Sequence, residues 1–247
     1  MHQKRSRPTM FMMLTAILLC AGITFYFNLL VTDLENQVET LEKKNNEKER
    51  IMDQYSISPE MIQSYVKKER NPSMDGYTDW KKADRVADQF YRQSGGKFKK
   101  EWALFLVQEA QRYEIDPYVV YELLDVESGG TFDPTLEGPE TKYGRAYGMS
   151  QFMKNTAPWI AEMAGLPYKD EMLFDPMYSI QLSIVYLDFL HERYDNWDQT
   201  LTAYHRGIFG MHNYVKENGD AKSWYATQIQ ADAAKQKQTL LAQKGDS

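Results

Sequence analysis

The spacing of apolar positions changes several times along this chain, and each change predicts a different element. Residues 10–31 are nearly continuous in Phe, Leu, Ile and Met, with no charged residue between Pro8 and Thr32. The apolar positions then thin to a seam: Leu34, Val38, Leu41, Asn45, Lys48, Met52 and Tyr55, alternately four and three apart. That is the a/d spacing of a heptad. Residues 77–226 have a helical rhythm instead. Trp80, Ala83, Val86, Ala87, Phe90 and Tyr91 mark one helix face over 80–91, and Trp102, Leu104, Phe105, Val107 and Ala110 mark the next over 99–113. Asp116-Pro117 reads as a capped helix start, carried through Val119, Val120, Leu123 and Leu124 to Glu127-Ser128 and stopped by Gly129-Gly130. Asn155 or Thr156 caps a helix with Pro158 in its first turn and Gly165 at its end. Residues 175–194 place Ile180, Ile184, Leu187 and Leu190 on one face, and 200–204 and 209–215 are short helices. Strand alternation is missing; only 131–147 has the character of a small hairpin or irregular lobe. From about Ala226 the chain turns rich in Gln, Ala and Lys and reads as a frayed, polar helical tail. The fold class expected is mainly α, with a small irregular or β lobe, preceded by a transmembrane helix and a helical stalk.

The first run is long enough to span a bilayer, which takes roughly 20 apolar residues. Lys4, Arg5 and Arg7 precede it, and Asp33 and Glu35 follow it. Positive charge on one side places the N-terminus in the cytoplasm and the rest of the chain outside. Phe25, Tyr26 and Phe27 stand near the outer end, where aromatic rings favour the interface. A cleaved signal peptide would show a shorter core and an A-x-A-like exit, which is not visible. A lipoprotein signal would place a small residue before Cys20, where Leu19 stands. Cys20 is then a buried apolar side chain. The organisation expected is a cytoplasmic basic tail at 1–8, a transmembrane helix at 9–32, a stalk and linker at 33–74, a globular domain at 75–226 and the tail at 227–247. The stalk has two readings: a parallel homodimeric coiled coil registered by Asn45, or a single solvated helix acting as a spacer. Ser58-Pro59 restarts it as a short helix, and Asn71-Pro72-Ser73 with Asp75-Gly76 reads as a linker.

Composition narrows the chemistry. The 247 residues are 43% hydrophobic and 26% charged, enough for a packed core. A single Cys leaves no internal disulfide and no Cys-based zinc site. An acidic balance, with a pI of about 5.4, speaks against a general nucleic-acid partner. No metal or cofactor is expected. His191-Glu192 lacks the second His of a zinc helix, because Asp195 stands there, and His205 and His212 have no evident third ligand.

Glu127 is the candidate for chemistry. It is the last side chain of an apolar helix, set against a break of two glycines. Partial burial there would raise its pKa, as a general acid requires. A solvated Glu ending a helix is the plain alternative.

The surroundings of Glu127 carry a resemblance. Ile115-Asp116-Pro117, then Glu127-Ser128-Gly129-Gly130-Thr131-Phe132-Asp133-Pro134, resembles the opening of lytic transglycosylase (SLT) domains of the lysozyme-like superfamily. Tyr147-Gly148-Met149-Ser150-Gln151-Phe152-Met153 is similar to the family's G-L-M-Q block. Leu173-Phe174-Asp175-Pro176 and then Ala203-Tyr204-His205-Arg206-Gly207, similar to A-Y-N-x-G, follow in order. The resemblance implies cleavage of peptidoglycan glycan strands between N-acetylmuramic acid and N-acetylglucosamine, with a 1,6-anhydro product. It implies Glu127 as the acid/base, Ser128 as a support for substrate or Glu, and Gly148, Met149 and Gln151 as the lining of the sugar cleft. It also implies a Tyr204 hydroxyl aimed at the Glu. Tyr143 and Tyr147 are candidates for the cleft because they lie in the loop region; Trp102 and Tyr186 read as core. Three departures stand out: Ser150 in place of the usual Met, Ser179 where Asn is frequent, and His205 in place of Asn. His205 is the one placed to alter the acid. A muramidase-type hydrolase on the same Glu127, with Asp133, Glu137 or Glu140 as second carboxylate, is one alternative. A weakly active wall-binding scaffold is the other.

Overall fold

The computed structural model describes residues 7–54, 57–68, 77–141 and 144–245. Tyr55, the linker at 71–76 and Tyr143 lie outside these residues, as do the side chains of Cys20, Lys48 and Met52. The chain divides into two compact units, Met1–Arg50 and Ile51–Ser247.

The first unit is formed by helix α1 (Arg7–Gln54), which is 48 residues long and runs through both the apolar run and the heptad seam. Its apolar side chains face outward: Leu19, Phe25 and Leu29 are 67%, 66% and 56% exposed. The seam residues Leu34, Val38 and Leu41 are exposed as well. Among the described residues no helix is long and apolar enough to cross a membrane. The first part of the apolar run, 10–18, lies outside the described side chains.

The second unit holds α2 (Pro59–Val66), α3 (Tyr77–Gln93), α4 (Lys100–Arg112), α5 (Pro117–Glu127), α6 (Ala157–Met163), α7 (Pro176–Tyr194), α8 (Trp197–Asn218) and α9 (Trp224–Gly245). A hairpin of β1 (Ala146–Tyr147) and β2 (Phe152–Met153) pairs antiparallel between α5 and α6. Caps set the helix starts. Asp116 accepts from the Tyr118 amide at 3.1 Å ahead of Pro117, and Asp175 accepts from the Tyr178 amide at 2.8 Å ahead of Pro176. The short helices expected at 200–204 and 209–215 are two halves of α8, bent where Gly207 takes φ 73° and ψ 162°.

Two apolar clusters share α7 as their common wall. Ile180, Ile184 and Leu187 face the first, with α3, α4, α5 and the start of α9. Leu182, Val185, Tyr186, Phe189 and Leu190 face the second, with α2, α6 and α8. Being buried on all sides, α7 carries apolar residues beyond the single face its sequence suggested. Trp102 and Tyr186 are core residues, as expected.

Two boundaries differ from the sequence reading. The short helix assigned to the stalk belongs to the globular unit: Ile57, Ile62 and Tyr65 are buried in the second cluster, and Tyr65 Oη donates to Asp188 Oδ2 at 2.6 Å. The polar tail is a packed helix. Tyr225, Ile229, Ala233 and Gln236 of α9 are buried at helical spacing, and α9 runs against α5. Beyond Ile229 its buried face is Ala233 and Gln236, which is why composition alone read as solvent-exposed.

Candidate active site

Helix α5 delivers Glu127 at its last position, and the loop after it is locked from within. Gly129 and Gly130 take φ of 59° and 72°, and the Gly130 amide donates to Asp125 O at 2.8 Å. Phe132, 2% exposed, plugs into the first cluster against Phe98 and Tyr121. Ser128 is buried, with its hydroxyl engaged in the fold. It accepts from the Phe132 amide at 3.0 Å and lies 3.4 Å from Asp125 O. Ser128 therefore holds the loop that follows the carboxyl.

Glu127 keeps partial access to solvent while its carboxyl is closely packed. The Tyr225 hydroxyl donates to Glu127 Oε1 at 2.6 Å. Burial pushes the Glu127 carboxyl up to about 7, against the opposing effect of the Tyr225 hydrogen bond. Burial, and then the nearby Glu127 charge, hold the Tyr225 phenol well above its ordinary range. The phenol is thus a proton-bearing donor throughout neutral pH. Residue 225 carries no role in the four sequence blocks; the signal in the sequence was a Trp-Tyr pair opening an otherwise polar helix.

Tyr204, given the role of pointing at the acid, is directed elsewhere. Its hydroxyl lies 3.2 Å from Ser183 Oγ and 3.4 Å from the Ser150 carbonyl. Glu127 is near enough that its charge, after burial, raises the Tyr204 phenol. Two of the departures from the family pattern meet here. Ser150 Oγ donates to Ser179 O at 2.9 Å, and Ser183 Oγ lies 2.7 Å from Ser150 Oγ. Ser150, Ser179 and Ser183 are all buried. Side chains too short to fill the usual volume are joined by hydroxyl contacts, which satisfies polar groups that would otherwise be costly inside.

The hairpin turn supplies the other expected residues. Gly148 has φ 72°, and a Cβ there would lie 1.9 Å from the Leu173 carbonyl oxygen. The close approach read from this glycine is to the chain's own backbone. Met149 is fully buried in the first cluster, so it is core and not a cleft wall. Gln151 is half-buried at φ 51° and donates Nε2 to Gly148 O at 2.8 Å. Its amide oxygen lies against Gly138, where a Cβ would come within 2.7 Å. Tyr147 is half-buried, edge-on to Phe174, with the Lys154 ammonium 4.5 Å above its ring.

His205 stacks flat on Tyr225, with ring centroids 4.6 Å apart and planes 10° apart. Burial, then the Arg206 charge, lower its pKa. The fold thus gathers Glu127, Tyr225, His205 and Tyr204 from three helices. Asp133 accepts from the Thr135 amide and hydroxyl, each at 2.8 Å, and Glu140 is paired with Arg145 at 2.8 Å. Among the described residues no group of three or more His, Cys, Asp or Glu could hold a metal ion.

Residues 105–227 match the family model described as "Transglycosylase SLT domain". No curated protein matches the chain. A solved structure that matches is an inactive mutant of the lytic transglycosylase Slt from Pseudomonas aeruginosa, at 16% identity and a TM-score of 0.48. The match covers 77% of this chain and 40% of that one, so this protein spans well under half the length of that structure. The matched segment begins in α4 and ends just past Tyr225, so it encloses Glu127 and every partner described above. Residues 105–227 are thus similar to transglycosylase SLT domains.

Proposed function

We propose that the protein is a membrane-anchored lytic transglycosylase of peptidoglycan, using Glu127 as its single acid and base. The observation that carries the reading is a carboxyl near neutrality, pushed up to about 7 by burial and held by one phenol. Neutral Glu127 protonates the glycosidic oxygen between N-acetylmuramic acid and N-acetylglucosamine as the C1–O bond breaks. The substrate's own acetamido group steadies the cationic centre, as in the substrate-assisted minority of glycosidases. The Glu127 carboxylate then takes the proton of the muramyl C6 hydroxyl, whose oxygen bonds to C1. The product is a 1,6-anhydro sugar, and the proton count on Glu127 is restored. Tyr225 donates to the carboxyl and steadies its charged form between the two steps.

The local engagement of Asp133 and Glu140 favours this route over a hydrolase that uses either of them as its second carboxylate. The anchor is supported by the uncharged run at 10–31, flanked by Lys4, Arg5 and Arg7, and by the outward apolar side chains of α1. Positive charge ahead of that run supports a cytoplasmic N-terminus with the globular unit outside the cell. The seam of α1 would pair two copies, Asn45 setting the register. Incubation of the full chain with purified sacculi, followed by mass spectrometry, tests the activity. Anhydro-muropeptides are expected. Reducing-end products would assign a hydrolase, and no soluble product would remove the enzyme reading.

A further inference from the structure

The junction of α8 and α9 presents an aromatic surface that the reaction above leaves unused. Trp224 is 56% exposed, while Tyr225 beside it is 1% exposed. The indole stands edge-on to two rings at once: 5.7 Å and 81° from Tyr225, 5.6 Å and 77° from His205. His205 in turn lies flat on Tyr225, the phenol that donates to Glu127. A large apolar ring held by neighbours yet open to water is in place to receive something. Its ring touches the partner of the acid, and that contact points to an occupant that is part of the molecule being cleaved.

We propose that Trp224, braced by His205, is a sugar-stacking subsite that grips an N-acetylated pyranose of the glycan strand beside the bond cleaved at Glu127. The proposal rests on the reading of function above and adds the group that recognises the ring. A pyranose offers one face of C–H groups and an equatorial rim of hydroxyls. An indole covers the apolar face while leaving the rim in water. A stem peptide, by contrast, needs charged or backbone partners that this ring pair does not supply. His205 has the role of a brace: its flat contact with Tyr225 fixes both the indole and the phenol. An Asn at 205, the residue of the family pattern, could not stack in this way.

The test uses the full-length Glu127→Gln protein in detergent, titrated with N-acetylchitohexaose, which carries acetamido pyranoses and no peptide. Tryptophan emission should change on binding, and the change should vanish in the added variant Trp224→Phe. By calorimetry, Trp224→Ala should weaken Kd about tenfold, and Trp224→Phe should recover most of that loss. The emission result stands on Trp224→Phe even if Trp224→Ala misfolds. An emission change that survives Trp224→Phe, a Kd unmoved by Trp224→Ala, or no binding at all would overturn the subsite. Sugar bound at Trp224 by a wild-type chain that releases nothing from sacculi would remove the reading of function and keep the subsite. Turnover without involvement of Trp224 would do the reverse.

Discussion

Helix α5 carries three carboxyls that lean toward their neutral forms, and two of them, Glu122 and Glu127, accept hydrogen bonds from α9. Glu122 is 5% exposed and accepts from the Gln236 amide. Burial, then the charges of Asp125 and Asp232, push it up to about 8. Glu127 accepts from the Tyr225 phenol, and burial against that bond leaves it at about 7. Burial lifts both; the difference lies in what each meets. Like charges lift Glu122 further, whereas a phenol donating to Glu127 draws it back toward physiological pH. Glu122 borders a cavity of about 400 Å³ with Gln89, Arg92 and Asp232. Glu127 stands with Tyr204 and His205. A displaced pKa therefore does not by itself identify an acid catalyst. A displacement tuned to the working pH, beside rings that can hold a substrate, is the more informative pattern.

Exchanging the two carboxyls one at a time is the strongest way to break this contrast. Glu127→Gln should lower release of muropeptides from sacculi about a thousandfold, the loss expected when a general acid is removed. Comparable activity in that variant would end the distinction. Removing the tuning phenol sharpens it. Tyr225→Phe should lower turnover about tenfold. It should also shift the pH profile. Neutral Glu127 is the starting form, so rate falls as pH rises through about 7. Tyr225 opposes the upward push, so its loss moves that fall to higher pH; a fall that moves to lower pH would contradict the assignment.

Stability tests the other carboxyl. The folded state binds the Glu122 proton more tightly than a free carboxyl at 4.5 does. Its contribution is therefore fully present below about 4.5 and is lost as pH rises to about 8. Glu127 and Asp125, both raised, act in the lower part of the same window. The melting midpoint should fall by about 10 °C or more across it, and Glu122→Gln should flatten the upper end. The smallest effect is on catalysis by that variant: turnover of Glu122→Gln should stay within about twofold of wild type. A larger loss would mean that Glu122 is coupled to Tyr225 through α9.

Much of the scaffold was legible because it is written in local chemistry. Asp116-Pro117 and Asp175-Pro176 fix helix starts through their caps, and Gly129-Gly130 ends α5 where Glu127 stands. What escaped was written in pairing across distance. Tyr225 lies 98 positions from Glu127, so no spacing rule joins them. Gln236 looked like part of a solvated tail, yet it reaches Glu122 inside the fold. Ile57, Ile62 and Tyr65 were too few to outweigh the charges around them, and only α6 and α7 reveal why they are apolar. Met149 and Gly148 were read as cleft residues because they lie in a cleft block, whereas packing with Leu173 and the core accounts for them. Ser150 and Ser179 looked like separate irregularities until the fold brought them together.

The start of α9 has a consequence for how this molecule could be silenced. A chain cut in the short crossing at 219–223 would retain all four sequence blocks and still display its acid, yet its phenol would be left on the severed piece. Such a remnant would look intact to any inspection of its motifs while its proton donor had lost its regulator. This short link, tied to Thr202 through the buried Ala221 and Ser223, thus governs whether the proposed acid keeps its phenol.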